Sequence, residues 1–268
     1  YRNDKPVKRE GYMTHLITGE ALNFIEENKA HAFFCYVPFT TPHFPFQAPA
    51  DKNKKFTSEN WTAGSRASYV AMLEDLDNAV GKILGKLDSL ELRKNTLVIF
   101  ASDHGAMKPG RNLPWNGYKG GLFEGGIRAP LIARWPGKIK PKTLCHQLGA
   151  TFDLTASFVR ITGKPVAKNQ LDGIDLLAHA EKEMKPVERY LYWRAKRGER
   201  TWWAIHHNNG TSDLKYTRRK EDGEIEEWFF NLTEDPGESK NLFALPDNYG
   251  HKLKQQLAIW ETRVEPLR

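Results

Sequence analysis

An apolar run in the sequence ends shortly before a carboxylate and an imidazole. Residues 97–100 are Leu-Val-Ile-Phe, and Asp103 and His104 follow after two small residues. Such a run indicates a buried parallel strand, and open α/β sheets bind ligands at the carboxyl edge of their strands. The sequence therefore predicts a divalent-metal site formed by Asp103 and His104. The alternative is that His104 caps the turn while Asp103 pairs with a lysine.

A lysine follows in the glycine-rich segment 117–126. Lys119 is a compact cation suited to an oxyanion, and the small residues around it are expected to leave backbone N–H groups open to the same ligand. The alternative is an ordinary lysine in an exposed loop. The segment thus predicts an anion-binding loop in which Lys119 supplies the charge.

A histidine lies in a proline-rich loop after a second apolar run. Residues 32–37 predict another buried strand, and His43 follows in a Pro-His-Phe-Pro sequence. An imidazole titrates near neutral pH, so His43 is a candidate for proton transfer. The alternative is a histidine that only packs against its neighbours.

The composition is that of a globular chain with an excess of positive charge. The 268 residues have a net charge of +7, with 40% hydrophobic and 12% aromatic residues, enough for a sizeable core. The charge indicates either a lysine-rich solvated surface or attraction to anionic substrates. No RNP, zinc-finger or helix-turn-helix pattern is present, so no nucleic acid partner is expected, and no apolar stretch is long enough for a membrane span.

The cysteine content is too low for a disulfide framework. Only Cys35 and Cys145 are present, and a framework needs several conserved-looking pairs. Cys35 lies inside the apolar run 32–37, so we expect a small buried core residue there.

Helical and strand patterns alternate through the first half of the chain. Apolar residues at helical spacing predict helices over residues 13–29 and 66–90, and the runs at 32–37 and 96–101 predict strands. A short strand is expected at 130–135 and a further helix at 150–161. This order favours an α/β fold with a mostly parallel sheet flanked by helices.

The second half has a different pattern. Four short aromatic-rich segments separated by turn signals predict a small antiparallel sheet, and apolar residues between 253 and 260 predict a closing helix. Gly163 and Pro165 interrupt a polar stretch between the two patterns. We therefore expect one domain over residues 1–165, and a linker with a small C-terminal subdomain over residues 166–268.

Three motifs resemble those of a known enzyme family. Ser-Asp-His-Gly at 102–105, Gly-Tyr-Lys-Gly at 117–120 and Glu-Gly-Gly-Ile-Arg-Ala-Pro at 124–130 follow one another in this order. They are similar to the formylglycine-dependent (type I) sulfatases, which are arylsulfatase-like members of the alkaline-phosphatase-like superfamily. The resemblance covers nearly the whole chain. It implies the same α/β fold, with a small C-terminal antiparallel sheet plus helix.

The resemblance also implies roles for the candidate residues. It assigns Asp103 and His104 to a Ca²⁺ ion, or another divalent ion, that holds the formylglycine and neutralises a sulfate oxygen. It assigns Lys119 to the sulfate group and the catalytic centre. It makes His43 a contact to the sulfate ester and the proton donor to the leaving oxygen. Arg128 is expected to pair with a buried carboxylate and to brace the loop of Lys119.

Two parts of the family's active site do not occur in this sequence. There is no Cys/Ser-x-Pro-x-Arg motif to become formylglycine, and the paired early aspartates are not found. The chain thus resembles the C-terminal part of a sulfatase, with formylglycine expected in a missing N-terminal part. The isolated 268 residues are expected to be catalytically incomplete.

The resemblance implies hydrolysis of aryl or carbohydrate sulfate esters, with a sulfated small molecule or sulfated carbohydrate as partner. It also implies a secreted, periplasmic or lysosomal protein. Two alternatives stay open: a phosphodiesterase or phosphonate hydrolase of the same superfamily, and a non-catalytic module that binds calcium and sulfated glycans. The oligomeric state is not encoded in any pattern found.

Overall fold

The computed structural model divides the chain into two compact units, residues 1–98 and residues 99–268. The residues it describes are 1–49, 66–165, 170–246 and 248–264. The predicted subdomain boundary between residues 165 and 166 borders the segment 166–169, which lies outside the described residues, and that boundary stays a prediction.

Two helices form the core of the first unit. Helix α1 spans Met13–Glu27 and helix α2 spans Arg66–Ser89, as the helical spacing predicted. The helices pack against each other, and α1 buries small or β-branched residues such as Ala21 and Ile25. The side chain and backbone N–H of Asn28 both donate to the carbonyl of Phe24, which ends α1.

The prediction of a strand at residues 32–37 is wrong. The segment is extended but joins no sheet among the described residues, and exposed and half-buried side chains alternate along it. Phe34 is 72% exposed and Tyr36 is 78% exposed. An apolar run becomes a strand only where a neighbouring backbone completes the hydrogen-bond ladder, and the described residues provide none. Cys35 is half-buried rather than buried, and this burial raises the pKa of its thiol.

A two-stranded sheet contains the strand that leads to the predicted metal site. Strand β1 is Val98–Ala101 and strand β2 is Leu131–Arg134, within the predicted ranges. The prediction of burial is wrong for β1, because Phe100 is 37% exposed. Within the described residues β1 pairs with β2 alone, so its outer flank is not covered by another strand.

Three short helices follow the strands of the second unit. They are α3 (Glu124–Ile127), α4 (Phe152–Ile161) and α5 (Leu176–Glu181). The prediction for α4 is confirmed, whereas α3 and α5 were missed because they are too short to show a period. The fully buried Asp153 anchors α4, since its carboxylate accepts two hydrogen bonds from Arg189 at 2.6 and 2.7 Å.

The predicted C-terminal antiparallel sheet is confirmed. Its four strands pair in sequence order, and they are β3 (Arg189–Arg197), β4 (Arg200–Asn208), β5 (Asp213–Glu221) and β6 (Glu224–Asn231). The tight turn between β5 and β6 uses Asp222 and Gly223 at positive φ angles of 51° and 86°, as Asp-Gly turns of hairpins require.

The sheet has different neighbours on its two faces. Helix α6 (Gly250–Glu261) covers one face, where Leu253 and Leu257 pack in a cluster with Ile205. On the other face Trp202 packs against Leu122 of the glycine-rich segment. The sheet therefore lies between the closing helix and the loop that carries the candidate site. No described helix is both long enough and apolar enough to cross a bilayer.

Candidate functional site

The turn after β1 holds the carboxylate and the imidazole in close contact. Asp103 and His104 lie directly before Gly105, whose N–H donates to the carbonyl of Gly126 at 3.0 Å. A Cβ atom at position 105 would lie 2.0 Å from the carbonyl oxygen of Gly125, so only glycine fits. This close packing of backbone on backbone fixes where Asp103 and His104 leave the strand.

The hydrogen-bond partner of His104 determines which ring nitrogen carries the proton. Nδ1 lies 2.8 Å from the carbonyl oxygen of Gly105, and a carbonyl only accepts, so Nδ1 is the donor. In the neutral ring Nε2 is then an acceptor, and it lies 3.2 Å from Oδ2 of Asp103. Two acceptors this close are stable only with a shared proton or a shared cation. One carboxylate oxygen and one imidazole nitrogen are a donor set that fits a divalent metal ion.

The pair is open to further ligands. The Asp103 side chain is 82% exposed and that of His104 is 36% exposed. No third histidine, cysteine or acidic residue joins them within the described ranges. Calcium takes about six to eight oxygen ligands, so this pair could hold one side of such an ion.

The backbone of Lys119 is tied to the segment that follows His104. Its N–H donates to the carbonyl of Ala106 at 3.1 Å. The side chain of Asn112 accepts from the N–H of Ala106 at 3.0 Å and donates to its carbonyl at 2.9 Å, and it also donates to the carbonyl of Gly117 at 3.1 Å. The backbone of Lys119 is thereby held against the segment that directly follows the Asp103–His104 pair. Its side chain is exposed, and the described residues give its ammonium group no ion-pair partner.

The glycines of the loop serve packing rather than open N–H groups. The N–H groups of Lys119, Gly121, Gly125 and Gly126 all donate to backbone carbonyls, so the expectation that they stay available to an anion is wrong for these four. A Cβ at Gly125 would lie 2.4 Å from the carbonyl oxygen of Gly117. The loop is compact because its backbone segments contact each other directly, and its charge comes from side chains.

A buried ion cluster anchors the loop from beneath. Glu124 accepts from Lys215 at 2.9 Å and from Nε of Arg128 at 2.7 Å, which confirms the predicted pairing of Arg128 with a buried carboxylate. Lys215 is fully buried and also donates to Glu238 at 2.8 Å. The second oxygen of Glu238 accepts from the N–H of Glu124 at 2.6 Å. We call Glu124, Lys215 and Glu238 the anchor cluster.

The two carboxylates of the anchor cluster titrate differently. Burial by itself raises the pKa of Glu124, but the charges of Lys215, His206 and Arg128 outweigh it and lower the pKa to about 2. Burial raises the pKa of Glu238, and the attraction of Lys215 offsets this only in part. Glu124 is therefore the carboxylate that stays ionised most firmly.

His43 lies in the first unit, in the loop that follows the extended segment. Its Nδ1 lies 2.7 Å from the carbonyl oxygen of Phe44, so Nδ1 is again the donor. The ring stacks on Phe44 with centroids 4.7 Å apart, and the side chain is exposed. Nε2 is thus the nitrogen available to a ligand, as an acceptor in the neutral ring and as a donor in the imidazolium.

Three further aromatic side chains of the second unit are His206, His207 and Trp115. His206 and His207 are buried, at 3% and 2% exposure. Trp115 is half-buried and stacks its ring near the guanidinium of Arg128, 5.4 Å from the ring centroid. These side chains support the fold around the site.

Sequence patterns missed three residues that position the site: Asn112, Lys215 and Glu238. The position of Lys215 could have been predicted in part. Lys215 and Thr217 lie on the same face of β5 and both are buried, and a buried lysine requires an acidic partner. Asn112 and Glu238 lie in loops, where no periodic pattern reveals a partner.

Comparisons with known proteins identify the family to which the chain belongs. A family model described as "Sulfatase" matches residues 1–164. A second, described as "N-sulphoglucosamine sulphohydrolase, C-terminal", matches residues 118–263. N-acetylgalactosamine-6-sulfatase of Mus musculus is 35% identical over 201 residues, which are 70% of this chain and 37% of that protein. A protein of Formosa agariphila named "Sulfatase" is 28% identical over 257 residues, covering 87% of this chain and 46% of that protein.

A solved structure has the same fold. The crystal structure of Ps i-CgsB matches with a TM-score of 0.83 and 28% identity, covering 96% of this chain and 56% of that one. Its complex with k-i-k-neocarrahexaose matches with a TM-score of 0.79. The chain spans about a third to a half of the curated relatives and just over half of the solved one. The expected family resemblance and α/β fold class are confirmed.

Proposed function

The chain belongs to the sulfatase family, and on that basis we propose that the protein containing it is a sulfuric ester hydrolase to which this chain contributes part of the active site. The observation that carries the proposal is the turn after β1. There a carboxylate and an imidazole acceptor converge within 3.2 Å, and the loop of Lys119 is hydrogen-bonded to the next segment of backbone.

We assign Asp103 and His104 to a divalent cation, with Ca²⁺ as the proposed ion. When bound, the metal ion would neutralise charge on the transferred sulfate group. The described pair would present one oxygen and one nitrogen to it. The hydrogen bond from His104 Nδ1 to Gly105 keeps Nε2 unprotonated in the neutral ring, which is the form that binds metals.

Lys119 is assigned to an oxygen of the sulfate group. Its ammonium group is a fixed positive charge close to the reacting atoms, and such a charge stabilises the negative charge that develops in the transition state. Because its backbone is held by Ala106 and the segment of Asn112, the lysine does not depend on a mobile loop for its position.

His43 is assigned to the leaving oxygen of the ester. Its Nδ1 proton is held by the carbonyl of Phe44, so the second proton of the imidazolium lies on Nε2. From Nε2 it can be donated to the departing alcohol. The formylglycine nucleophile that the family uses is not encoded in this sequence, which has no Cys/Ser-x-Pro-x-Arg motif.

The proposed substrates are sulfate esters of carbohydrates or of aryl alcohols. Two relatives support the carbohydrate class: one is named for N-acetylgalactosamine 6-sulfate, and another was solved with a neocarrahexaose. A secreted, periplasmic or lysosomal location is proposed with it, since sulfated glycans occur outside the cytosol.

The test compares an aryl sulfate with the matching aryl phosphate, using the protein purified from its natural source after its intact mass is recorded. We expect preferential turnover of the sulfate, and a mass above 30.7 kDa that reflects the formylglycine segment. In the same protein, Lys119→Met and Asp103→Asn should lower kcat by about 10²–10³-fold, whereas Lys138→Met, at another exposed loop lysine, should not.

Other outcomes would overturn the proposal in specific ways. Preferential phosphate hydrolysis would indicate a phosphodiesterase or phosphonate hydrolase. Calcium binding that requires Asp103, with no turnover of either ester by the complete protein, would indicate a binding module.

A further inference from the structure

The hairpin between β3 and β4 brings an arginine to the loop of Lys119. Arg197 is the last residue of β3, and its register partner on β4 is Arg200. Its Nη1 atom lies 3.9 Å from the position that a Cβ on Gly120 would take. The guanidinium group therefore lies beside the residue that directly follows Lys119.

The packing of the sheet determines this position. Residues alternate between the two faces of a strand, so Arg197 shares its face with Ala195 and with Trp202, the register partner of Ala195. Trp202 is 5% exposed, and its ring lies 3.9 Å from the Cβ position of Gly121. The face that carries Arg197 is thus the face that covers the glycine-rich loop.

The cations of this face differ in their pairing. Arg200 and Arg219, which neighbour Arg197 and Trp202 across the strands, both lie within 4 Å of Glu221, at 3.8 and 3.6 Å. Arg197 is exposed, and neither it nor Lys119 has an ion-pair partner within the described ranges. Glu221 and Glu226 thus pair with the neighbouring arginines and, among the described residues, not with Arg197.

A third cation adjoins the same short segment. Nζ of Lys108 lies 5.5 Å from the ring centroid of Tyr118, the residue before Lys119. Lys108 and Arg197 therefore adjoin Tyr118 and Gly120, the two sequence neighbours of Lys119. Neighbouring like charges repel each other unless they share an anion, so the arrangement favours a ligand with more than one negative group.

We propose that Arg197, assisted by Lys108, forms a second anion subsite next to Lys119. The subsite binds a further anionic substituent on the sulfated glycan whose ester Lys119 holds. This proposal rests on the sulfatase function proposed above. The planar guanidinium of Arg197 can form two parallel hydrogen bonds to a sulfate or carboxylate group, which gives it more geometric selectivity than a lysine. Arg197 would then determine specificity by favouring densely charged substrates.

The test compares the kcat/KM values of two substrates. One substrate is an aryl sulfate with a single negative group, and the other is a disulfated disaccharide. For Arg197→Ala we expect the ratio of kcat/KM for the disaccharide to that for the aryl ester to fall about tenfold, the loss of one charge-assisted contact. Arg197→Lys should give an intermediate ratio, because charge is kept but the two-pronged geometry is lost.

Lys196→Ala is the matched control. Lys196 is an exposed cation on the same hairpin, but its side chain lies on the opposite face of the sheet. This variant should leave the ratio unchanged. An unchanged ratio in Arg197→Ala, or an equal fall in Lys196→Ala, would overturn the subsite.

A binding measurement distinguishes failure of the proposed subsite from failure of the proposed sulfatase function. If the complete wild-type protein turns over neither ester, the proposed function fails, and calorimetric affinity for the disulfated disaccharide then tests the subsite alone. Affinity lost in Arg197→Ala and kept in Lys196→Ala would support it. Equal affinity in both variants would exclude it. A weaker dependence of binding on salt in Arg197→Ala is expected for the same reason.

Discussion

Two groups of side chains in the second unit both combine carboxylates with a lysine, but in opposite surroundings. The anchor cluster of Glu124, Lys215 and Glu238 is buried, and its charges face one another. The group at the strand end consists of Asp103, His104 and Lys119, and its carboxylate and ammonium groups are exposed. The glycine-rich segment joins the two groups within one short stretch of chain.

This difference in surroundings distinguishes charged groups that stabilise the fold from charged groups that can bind a ligand. In the anchor cluster Lys215 lies between two carboxylates at 2.8 and 2.9 Å, so little capacity is left for a ligand. At the strand end Asp103 and His104 are exposed to solvent and lie 3.2 Å apart, and among the described residues the ammonium group of Lys119 has no ion-pair partner. Burial with a partner makes an ion structural, whereas exposure without one leaves it able to bind.

The largest expected effect is that of removing the buried lysine. Lys215→Met leaves two buried carboxylates without their cation, which should lower the free energy of unfolding by about 3–5 kcal/mol. Denaturation in urea measures this change in the free energy of unfolding. The matched variant Lys119→Met should change stability by less than about 0.5 kcal/mol, as exposed residues do.

A double variant sharpens this comparison. Lys215→Met with Glu238→Gln removes one of the stranded charges and should recover part of the lost stability. Equal destabilisation by Lys215→Met and Lys119→Met would show that the distinction between the two groups is wrong.

The next effect concerns the contact that links the turn to the loop. In Gly105→Ala the new methyl group would meet the carbonyl of Gly125 at 2.0 Å, so the backbone must shift, at a cost of about 1–3 kcal/mol. The shift should also weaken metal binding by Asp103 and His104, which calorimetry with Ca²⁺ can follow.

Gly85→Ala in α2 is the control, because nothing lies within 4 Å of its Cβ position. It should be neutral or stabilising by about 0.5–1 kcal/mol. Normal stability and normal calcium affinity in Gly105→Ala would contradict the tight packing described for the turn.

The last expected effect is a dependence of stability on acid pH. The pKa of Glu124 falls from its ordinary value of 4.5 to about 2 on folding. Its contribution to stability is therefore complete above pH 4.5 and is lost as the pH falls towards 2. The pKa of Glu238 is raised above its ordinary value of 4.5. Its contribution to stability is therefore complete below pH 4.5 and is lost as the pH rises above that value.

Urea denaturation between pH 5 and 2 tests this expectation. Glu124→Gln should remove up to about 1.4 kcal/mol per pH unit from the slope of stability against pH. Glu234→Gln, at an exposed glutamate, should leave the slope as it is. Identical slopes in wild type and Glu124→Gln would mean that the buried carboxylate does not titrate in this window.

Local patterns predicted much of the fold. Helices α1, α2, α4 and α6 follow from spacing of apolar residues, and the four strands of the C-terminal sheet follow from alternation and turn residues. The segment 32–37 shows the limit of predictions from local patterns. An apolar run indicates which side chains a strand would bury, but not which strand would pair with it.

The sequence by itself determined the family, the helices, the C-terminal sheet and the identity of the candidate ligands, because these depend on residue types at short spacing. Tertiary structure decided the rest. It selected the proton position on His104, occupied the N–H groups of the glycine loop, and joined Lys215 to Glu124 from a distant part of the chain. It also placed Arg197 beside Gly120, the neighbour of Lys119, with no ion-pair partner among the described residues. Each of these depends on which neighbours fill the space around a group, and no local pattern encodes those neighbours.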